Sequence, residues 1–373
     1  MCAENTAIVG AGPAGANCAF ELAKRGIYPT IFDHSHPREK CCGGGIPQEV
    51  VEKFSIFRHF KPQLKPIADC RLISCLDTQV VVKGFRKGFS VSRLSFDEGI
   101  LRKAIEKGAK HINEKVVGIK KKQLWKIKTN KRIFSAKNLV GADGVNSLVR
   151  RCDCILNTIE QISGKKICRK TIGAFAPENL ALTYGYYAQE VEEKSMTIKF
   201  LKSFPGYIWI IPRTDNCSIG IGGELKHGKK LKAILDNFVL PRYPKIKKIH
   251  EFAHMLPSAK DPNFFDLPCC SRDWILVGDA AGHVDPITGA GIMYALWSGK
   301  LAADAIQTKN LEEYDNLWRQ EYGNHLKKLA GAEERKKFFD PARIELSFLS
   351  MRIGEQKIRQ KQETSQASLF SIR

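Results

Sequence analysis

Ala7-Ile8-Val9-Gly10-Ala11-Gly12-Pro13-Ala14-Gly15, followed by Asp33 at the end of a second apolar run, sets the architecture of this chain. Ala7 to Val9 reads as a buried strand and Ile27 to Phe32 as the next one. Between them, Pro13 to Arg25 reads as a helix with Ala14, Cys18, Ala19, Leu22 and Ala23 on one apolar stripe. That order is a βαβ unit. Gly10 permits a tight turn, Gly12 leaves room for a pyrophosphate against the backbone, and Gly15 lets helix and strand pack closely. Pro13 and Ala14 open a helix whose unpaired N–H groups and positive dipole end suit an anion. Asp33 would accept from ribose hydroxyls, which makes the unit a place to hold a dinucleotide. The competing reading is a strand-to-helix turn that binds nothing.

Two later segments bear on which dinucleotide. Trp274 to Val277 is another buried strand; it runs into Gly278-Asp279-Ala280-Ala281-Gly282, then Pro286, Gly289 and Gly291, then an apolar helix from Ile292 to about Ile306. Gly289 and Gly291 suit a loop passing close to a planar ring, and Asp279 can accept from a ribityl hydroxyl. The helix beginning at Gly291 and Ile292 points its positive end at a developing anion such as that of a reduced flavin. Between the two regions, Val140-Gly141-Ala142-Asp143-Gly144 closes a further strand with an acid and a turn glycine.

These segments together resemble the FAD-dependent enzymes of the aromatic-hydroxylase superfamily. Val91-Ser92-Arg93-Leu94-Ser95-Phe96-Asp97 is similar to the superfamily segment whose arginine contacts FAD, which implies that role for Arg93. Lys40-Cys41-Cys42-Gly43-Gly44-Gly45-Ile46-Pro47 resembles the Cys-Gly-Gly loop of the geranylgeranyl reductase family, with Cys42 at the family cysteine. Phe204-Pro205-Gly206-Tyr207-Ile208-Trp209-Ile210-Ile211-Pro212 resembles the substrate-pocket motif PxxYxWxFP of the same family. The resemblance implies that Cys42, Gly43, Gly44 and Asp143 lie at the cofactor and that Tyr207, Trp209 and Ile211 line the substrate pocket. Departures bear on the substrate: Phe204 replaces the opening Pro, Ile211 replaces Phe, and Ala290 stands where many members carry Glu.

Tyr207 and Trp209 alternate on one strand and share a face, with Ile208 and Ile210 on the other. An aromatic pair above a flavin suits an isoprenoid chain; filling an inter-domain core is the plainer alternative. For Cys42, a thiol that donates a proton to substrate and a thiol that merely packs are both open.

With 373 residues, 43% of them hydrophobic, the chain can bury one large discontinuous core or two modest ones. No apolar run approaches the roughly 20 residues of a membrane span, and no secretory leader is visible at the start, so a cytoplasmic protein is expected. Of twelve cysteines none forms a CxxC pair; Cys18, Cys70, Cys75, Cys168 and Cys217 read as small buried hydrophobes, and no metal site is expected. The net charge of +21 is scattered along the chain rather than gathered on a nucleic-acid module, so no nucleic-acid partner is expected. A lysine-rich surface in general, or attraction to an anionic membrane, accounts for it.

The expected fold is α/β: a Rossmann-like FAD-binding domain with a parallel sheet and an antiparallel meander, interleaved with a smaller α+β substrate domain, then a helical C-terminus. The segments 1–60, 86–155 and 270–310 belong to the first domain, 61–85 and 156–269 to the second, and 311–373 to a helical region with a Gln- and Ser-rich tail. The expected activity is saturation of C=C bonds in an isoprenoid or prenyl lipid by hydride from reduced FAD. A single GxGxxG leaves the electrons to come from transiently bound NADPH or a small redox protein. Alternatives are an FAD-dependent monooxygenase of an aromatic or quinone-like substrate, and a non-catalytic flavin- or lipid-binding protein.

Overall fold

In the computed structural model, which describes residues 4–60, 62–84 and 88–354, the three glycine-bearing segments leave the same end of three adjacent parallel strands. Glu4–Val9 lies between Thr30–Phe32 and Ile133–Gly141, and Trp274–Leu276 pairs with the far side of Ile133–Gly141, all in parallel. Lys110–Ile112 extends the other edge. Ile8, Leu139, Val140, Ile275 and Leu276 are fully buried, as parallel strands covered on both faces require. Strand order reverses beside Glu4–Val9, and a parallel sheet opens a crevice at such a reversal. The amide of Gly10 donates to Phe32 O (2.9 Å), that of Ala142 to Val9 O (2.8 Å) and that of Val277 to Gly141 O (2.9 Å), which locks the three turns side by side.

The helix Pro13–Ala23 is buried on every face rather than along the single expected stripe. It is wedged between the helices Arg93–Glu106 and Ile292–Gln307, partners too distant in the chain to register in its own periodicity. Gly299 makes the close approach possible, since a Cβ there would lie 2.2 Å from Ala14 O. The second strand is also shorter than expected, Thr30–Phe32 instead of Ile27 to Phe32. Ile27 N donates back to Leu22 O (3.0 Å) across Gly26 at φ +77°, and Pro29 has no amide to offer a ladder.

The antiparallel meander is formed by Val116–Lys121, Trp125–Thr129 and Ile133–Gly141. A second, seven-stranded sheet runs in the order Lys247–Pro257, Leu180–Gln189, Cys217–Glu224, Gly206–Pro212, Met196–Phe200, Cys70–Ile73 and Gln79–Val82. A separate three-stranded sheet runs in the order Gly45–Pro47, Gly88–Ser90 and Lys65–Ile67. Helical residues 341–354 reach back to the second sheet through Ile344 and Phe348, which pack with Cys75, Val80 and Phe200. The tail expected beyond residue 354 lies outside the described residues.

His283 is fully buried among Trp318, Tyr314 and Tyr322, with Tyr322 Oη 2.9 Å from its Nδ1. Burial, reinforced by Arg319 and Arg150, lowers its pKa to about 3, so it stays neutral in the folded chain while the unfolded chain protonates near 6.5. Stability is therefore intact above pH 6.5 and falls as the pH drops below it. About 2 kcal/mol is lost from this group between pH 6.5 and 5. Urea unfolding of wild type and His283→Gln at the two pH values measures it; an identical pH slope in the variant would refute this reading.

Candidate active site

At Gly10 the backbone takes φ +101°, and a Cβ there would sit 2.3 Å from Ala142 O. A Cβ at Gly15 would lie 2.0 Å from Gly10 O, whereas one at Gly12 would meet nothing within 4 Å, because Gly12 fronts open space. The helix that starts after Gly12 has no side-chain cap and no acid in its first turn, which leaves its positive end uncompensated. Asp33 accepts from Ala11 N (2.8 Å), Ser35 N (2.7 Å) and Ser35 Oγ (2.6 Å). Burial opposes its ionisation, but these hydrogen bonds and nearby His36 hold its pKa below the usual carboxylate range. The carboxylate thus fixes the glycine turn from the end of the neighbouring strand.

Asp143 is used differently from a ligand-facing acid. Its oxygens accept from Ser147 Oγ (2.5 Å), Leu148 N (2.6 Å) and Val149 N (3.1 Å), so it folds the turn that follows its own strand. Full burial raises its pKa in spite of those donors. Asp279, by contrast, is paired with Lys40 Nζ at 2.9 Å, a contact that ties the Cys41–Gly45 loop to the Gly278–Gly282 loop. Burial would raise its pKa; Lys40 outweighs it and keeps Asp279 ionised. The helix Ile292–Gln307 begins beside it at Gly291, again without a side-chain cap or a first-turn acid.

The Cys41–Gly45 loop is laid against the second sheet. Arg213 Nη2 (2.8 Å) and Ser218 Oγ (3.0 Å) both donate to Cys42 O, and Gly44 N donates to Cys42 Sγ (3.3 Å). Gly43 packs so tightly that a Cβ would come 3.0 Å from Ile211 and 3.6 Å from Trp209. Trp209 donates its indole N–H to Ser218 Oγ (3.2 Å), and its ring covers Gly220, where a Cβ would lie 2.2 Å away. Tyr207 and Trp209 share a face in edge contact (6.3 Å between centroids) and Tyr207 Oη donates to Thr288 O. Ile208 and Ile210 point into the other core, as the alternation requires. Phe204 joins that other core, stacked on His227, and does not line the cavity.

All these parts border one cavity of about 900 Å³. Gly10, Gly12, Pro13, Ala14 and Asp33 line one end. Arg93, Asp143 and Asp279 line its walls together with Gly289, Gly291 and Ile292. Cys42, Gly43 and Gly44 line it beside Tyr207, Trp209 and Ile211, and the exposed Ala290 lines it too. Gly15 is the exception, placed beneath the turn where helix meets strand. Arg93 is buried, and its Nε and Nη2 are given to the Asp97 carboxylate at 2.7 and 2.6 Å. Burial would lower its pKa, but Asp97 and the adjacent Cys42 hold it above its ordinary value.

Several functional neighbours were missed from the sequence. Lys40, Arg213 and Ser218 carry no local signal of the partners they meet. His254 lies on Lys247–Pro257, a strand not foreseen, and reaches the cavity through the pairing of that strand with Leu180–Gln189. Its Nε2 is buried without a partner, and burial together with Lys40 lowers its pKa to about 4. Among the described residues no group of three His, Cys, Asp or Glu could hold a metal, and no helix is long and apolar enough to cross a membrane.

Residues 8–56 match a family described as an NAD(P)-binding Rossmann-like domain. A digeranylgeranylglycerophospholipid reductase of Methanoculleus marisnigri is 28% identical, over 84% of this chain and 81% of that protein. A geranylgeranyl diphosphate reductase of Rhodobacter capsulatus is 26% identical, over 80% and 73%. Among solved structures, a geranylgeranyl bacteriochlorophyll reductase-like protein of Thermoplasma acidophilum has a TM-score of 0.72 at 22% identity, covering 90% of this chain and 89% of that one. The flavin-dependent brominase Bmp2 has a TM-score of 0.65 at 20% identity, covering 87% and 84%. The chain is thus similar along most of its length to proteins named geranylgeranyl-chain reductases, and it shares its fold with a geranylgeranyl reductase-like protein and with a flavin-dependent enzyme.

Proposed function

We propose that the chain binds FAD and saturates carbon–carbon double bonds of an isoprenoid-bearing lipid. The observation that carries this is the continuity of one cavity from the Gly10–Ala14 turn to the apolar wall of Tyr207, Trp209 and Ile211. The residues fit the cofactor: Gly12 leaves space where a side chain would otherwise stand, and two helices bring uncompensated N-termini to the same cavity. Gly10, Gly12, Pro13, Ala14 and Asp33 would hold the adenosine diphosphate half. Cys42, Gly43, Gly44, Arg93, Asp143, Asp279, Gly289, Gly291 and Ile292 would enclose the rest. When bound, FAD supplies a hydride equivalent to an alkene carbon.

The chain's own residues do the remainder. Ile67, Met196 and Ile198 continue the apolar wall beyond Trp209 and exclude water from the alkene. A proton must reach the neighbouring carbon, and the thiol of Cys42, which lines the cavity as Trp209 does, holds it. Electrons come from NADPH or a small redox protein that docks transiently. In this reading Cys42→Ala lowers kcat by about a hundredfold with KM little changed, the usual loss of a positioned acid, and Cys42→Ser restores part of it. A merely packed thiol would give near-equal kcat in all three proteins.

The reaction itself is tested by mixing anaerobically reduced holoprotein with a geranylgeranyl-chain phospholipid. Flavin reoxidation should accompany gain of two hydrogens per double bond in the lipid. Reoxidation by oxygen alone, with a hydroxylated aromatic product, would replace the reductase with a monooxygenase. A protein that takes up no FAD would end the proposal.

A further inference from the structure

Cys152 and Cys154 flank Asp153, whose side chain is 87% exposed, at the start of the 11-residue helix Asp153–Ser163. Both thiols are half-buried, so small reagents can reach them. Their sulfurs lie 2.9 Å apart in a thiol–thiol hydrogen bond. Cys152 is the N-cap residue and sits with extended backbone (φ −63°, ψ 125°), which turns its side chain toward the next residue but one. A disulfide bond is about 2.05 Å long, so the sulfurs close by less than an ångström to form one. The hydrogen bond from Cys154 outweighs burial and lowers the pKa of Cys152 to about 7, while Cys154 keeps the shared proton and is raised. Neither thiol lines the cavity, and the pair follows directly on the turn built by Asp143 and Ser147.

We propose that Cys152 and Cys154 form a redox-active dithiol that closes to a disulfide by exchange with low-molecular-weight disulfides. The Cys152 thiolate attacks one sulfur of the small disulfide, forms a mixed disulfide and releases the first small thiolate. Cys154 then loses its proton and attacks the Cys152 sulfur, which expels the second small thiolate. Two protein thiols give up two electrons and two protons, and one small disulfide becomes two small thiols. Cys152 attacks first because, of the two sulfurs, it is the one whose pKa is lowered, so it carries the larger thiolate fraction at neutral pH. The pair is thus a reversible modification site in its own right, and it stands whether or not the flavin reading does.

The test uses the full-length wild-type protein in graded mixtures of oxidised and reduced glutathione, quenched by alkylation and digested with trypsin. Cleavage after Arg151 and Lys165 releases a peptide whose only cysteines are these two. At oxidising ratios the peptide should lack two hydrogens and carry no alkyl group, and dithiothreitol should return both alkylation sites. Two alkyl groups, or two glutathione adducts, at every ratio would overturn the proposal. Cys154→Ala should stop at a single glutathione on Cys152. It should also slow alkylation of Cys152 at pH 7 by about fivefold, the loss of thiolate exceeding the gain in nucleophilicity. An unchanged rate would show that Cys154 does not activate its neighbour.

Discussion

Gly12→Ala should fold like the wild type and lose FAD, whereas Gly15→Ala should lose the fold as well. The two glycines lie three residues apart in the same turn, but their surroundings are opposite. A methyl group at Gly12 meets no protein atom within 4 Å, and the backbone there has φ −64°, which any residue adopts. Its only cost falls on whatever occupies the cavity. Weakened hydrogen bonds to a charged pyrophosphate are worth about 1.5–3 kcal/mol, which corresponds to about tenfold to a hundredfold in affinity. At Gly15 the methyl group would stand 2.0 Å from Gly10 O and 2.9 Å from the Ala142 side chain, and backbone atoms cannot move aside. Overpacking in a core costs about 1–3 kcal/mol, and a collision with backbone lies at the upper end or beyond. Thermal melts with and without FAD, together with flavin fluorescence quenching, separate the cases. If Gly12→Ala binds FAD as tightly as wild type, the phosphates do not lie at this turn.

The contrast also marks what the sequence could and could not reveal. Glycine spacing, a flanking strand and a terminal acid are local signals, so the βαβ unit and the late Gly-Asp loop were legible. Alternation fixed the facing of Tyr207 and Trp209 correctly, because a strand keeps its two-residue period whatever packs on it. Contacts made by residues far apart in the chain were not legible. Lys40 meets Asp279 across 239 positions, and Arg213 meets Cys42 across 171; nothing near either residue announces the partner. His254 belongs to a strand rich in Lys, His and Glu, whose outward face masks its alternation. The helix Pro13–Ala23 reads as amphipathic because Asn17 and Glu21 are polar, yet both are buried, Asn17 with its Oδ1 left unpartnered. Asn17 donates to Leu296 O (2.7 Å), and Glu21 accepts from Ser55 Oγ (2.6 Å).

Arg93 shows the same limit, and it yields the second large effect. Family resemblance assigned its guanidinium to the cofactor, while the structure gives two of its nitrogens to Asp97, one helical turn away on Arg93–Glu106. The side chains are 4% and 0% exposed, so neither charge is shared with water. Removing one partner strands the other, and Asp97→Ala should cost about 3–5 kcal/mol, enough to unfold a domain of ordinary stability at modest urea. The paired change Arg93→Met with Asp97→Leu removes both charges and keeps apolar volume, so it should recover much of that loss. Urea unfolding of the three proteins measures this. A double variant as unstable as Asp97→Ala would mean that shape, not the unpaired charge, sets the cost. With the fold restored, the double variant then isolates what Arg93 does toward the cavity. Its FAD affinity should fall about tenfold, the worth of one charge-assisted hydrogen bond. Unchanged affinity would leave Arg93 as the residue that holds the wall beside Cys42, with no contact of its own to the cofactor.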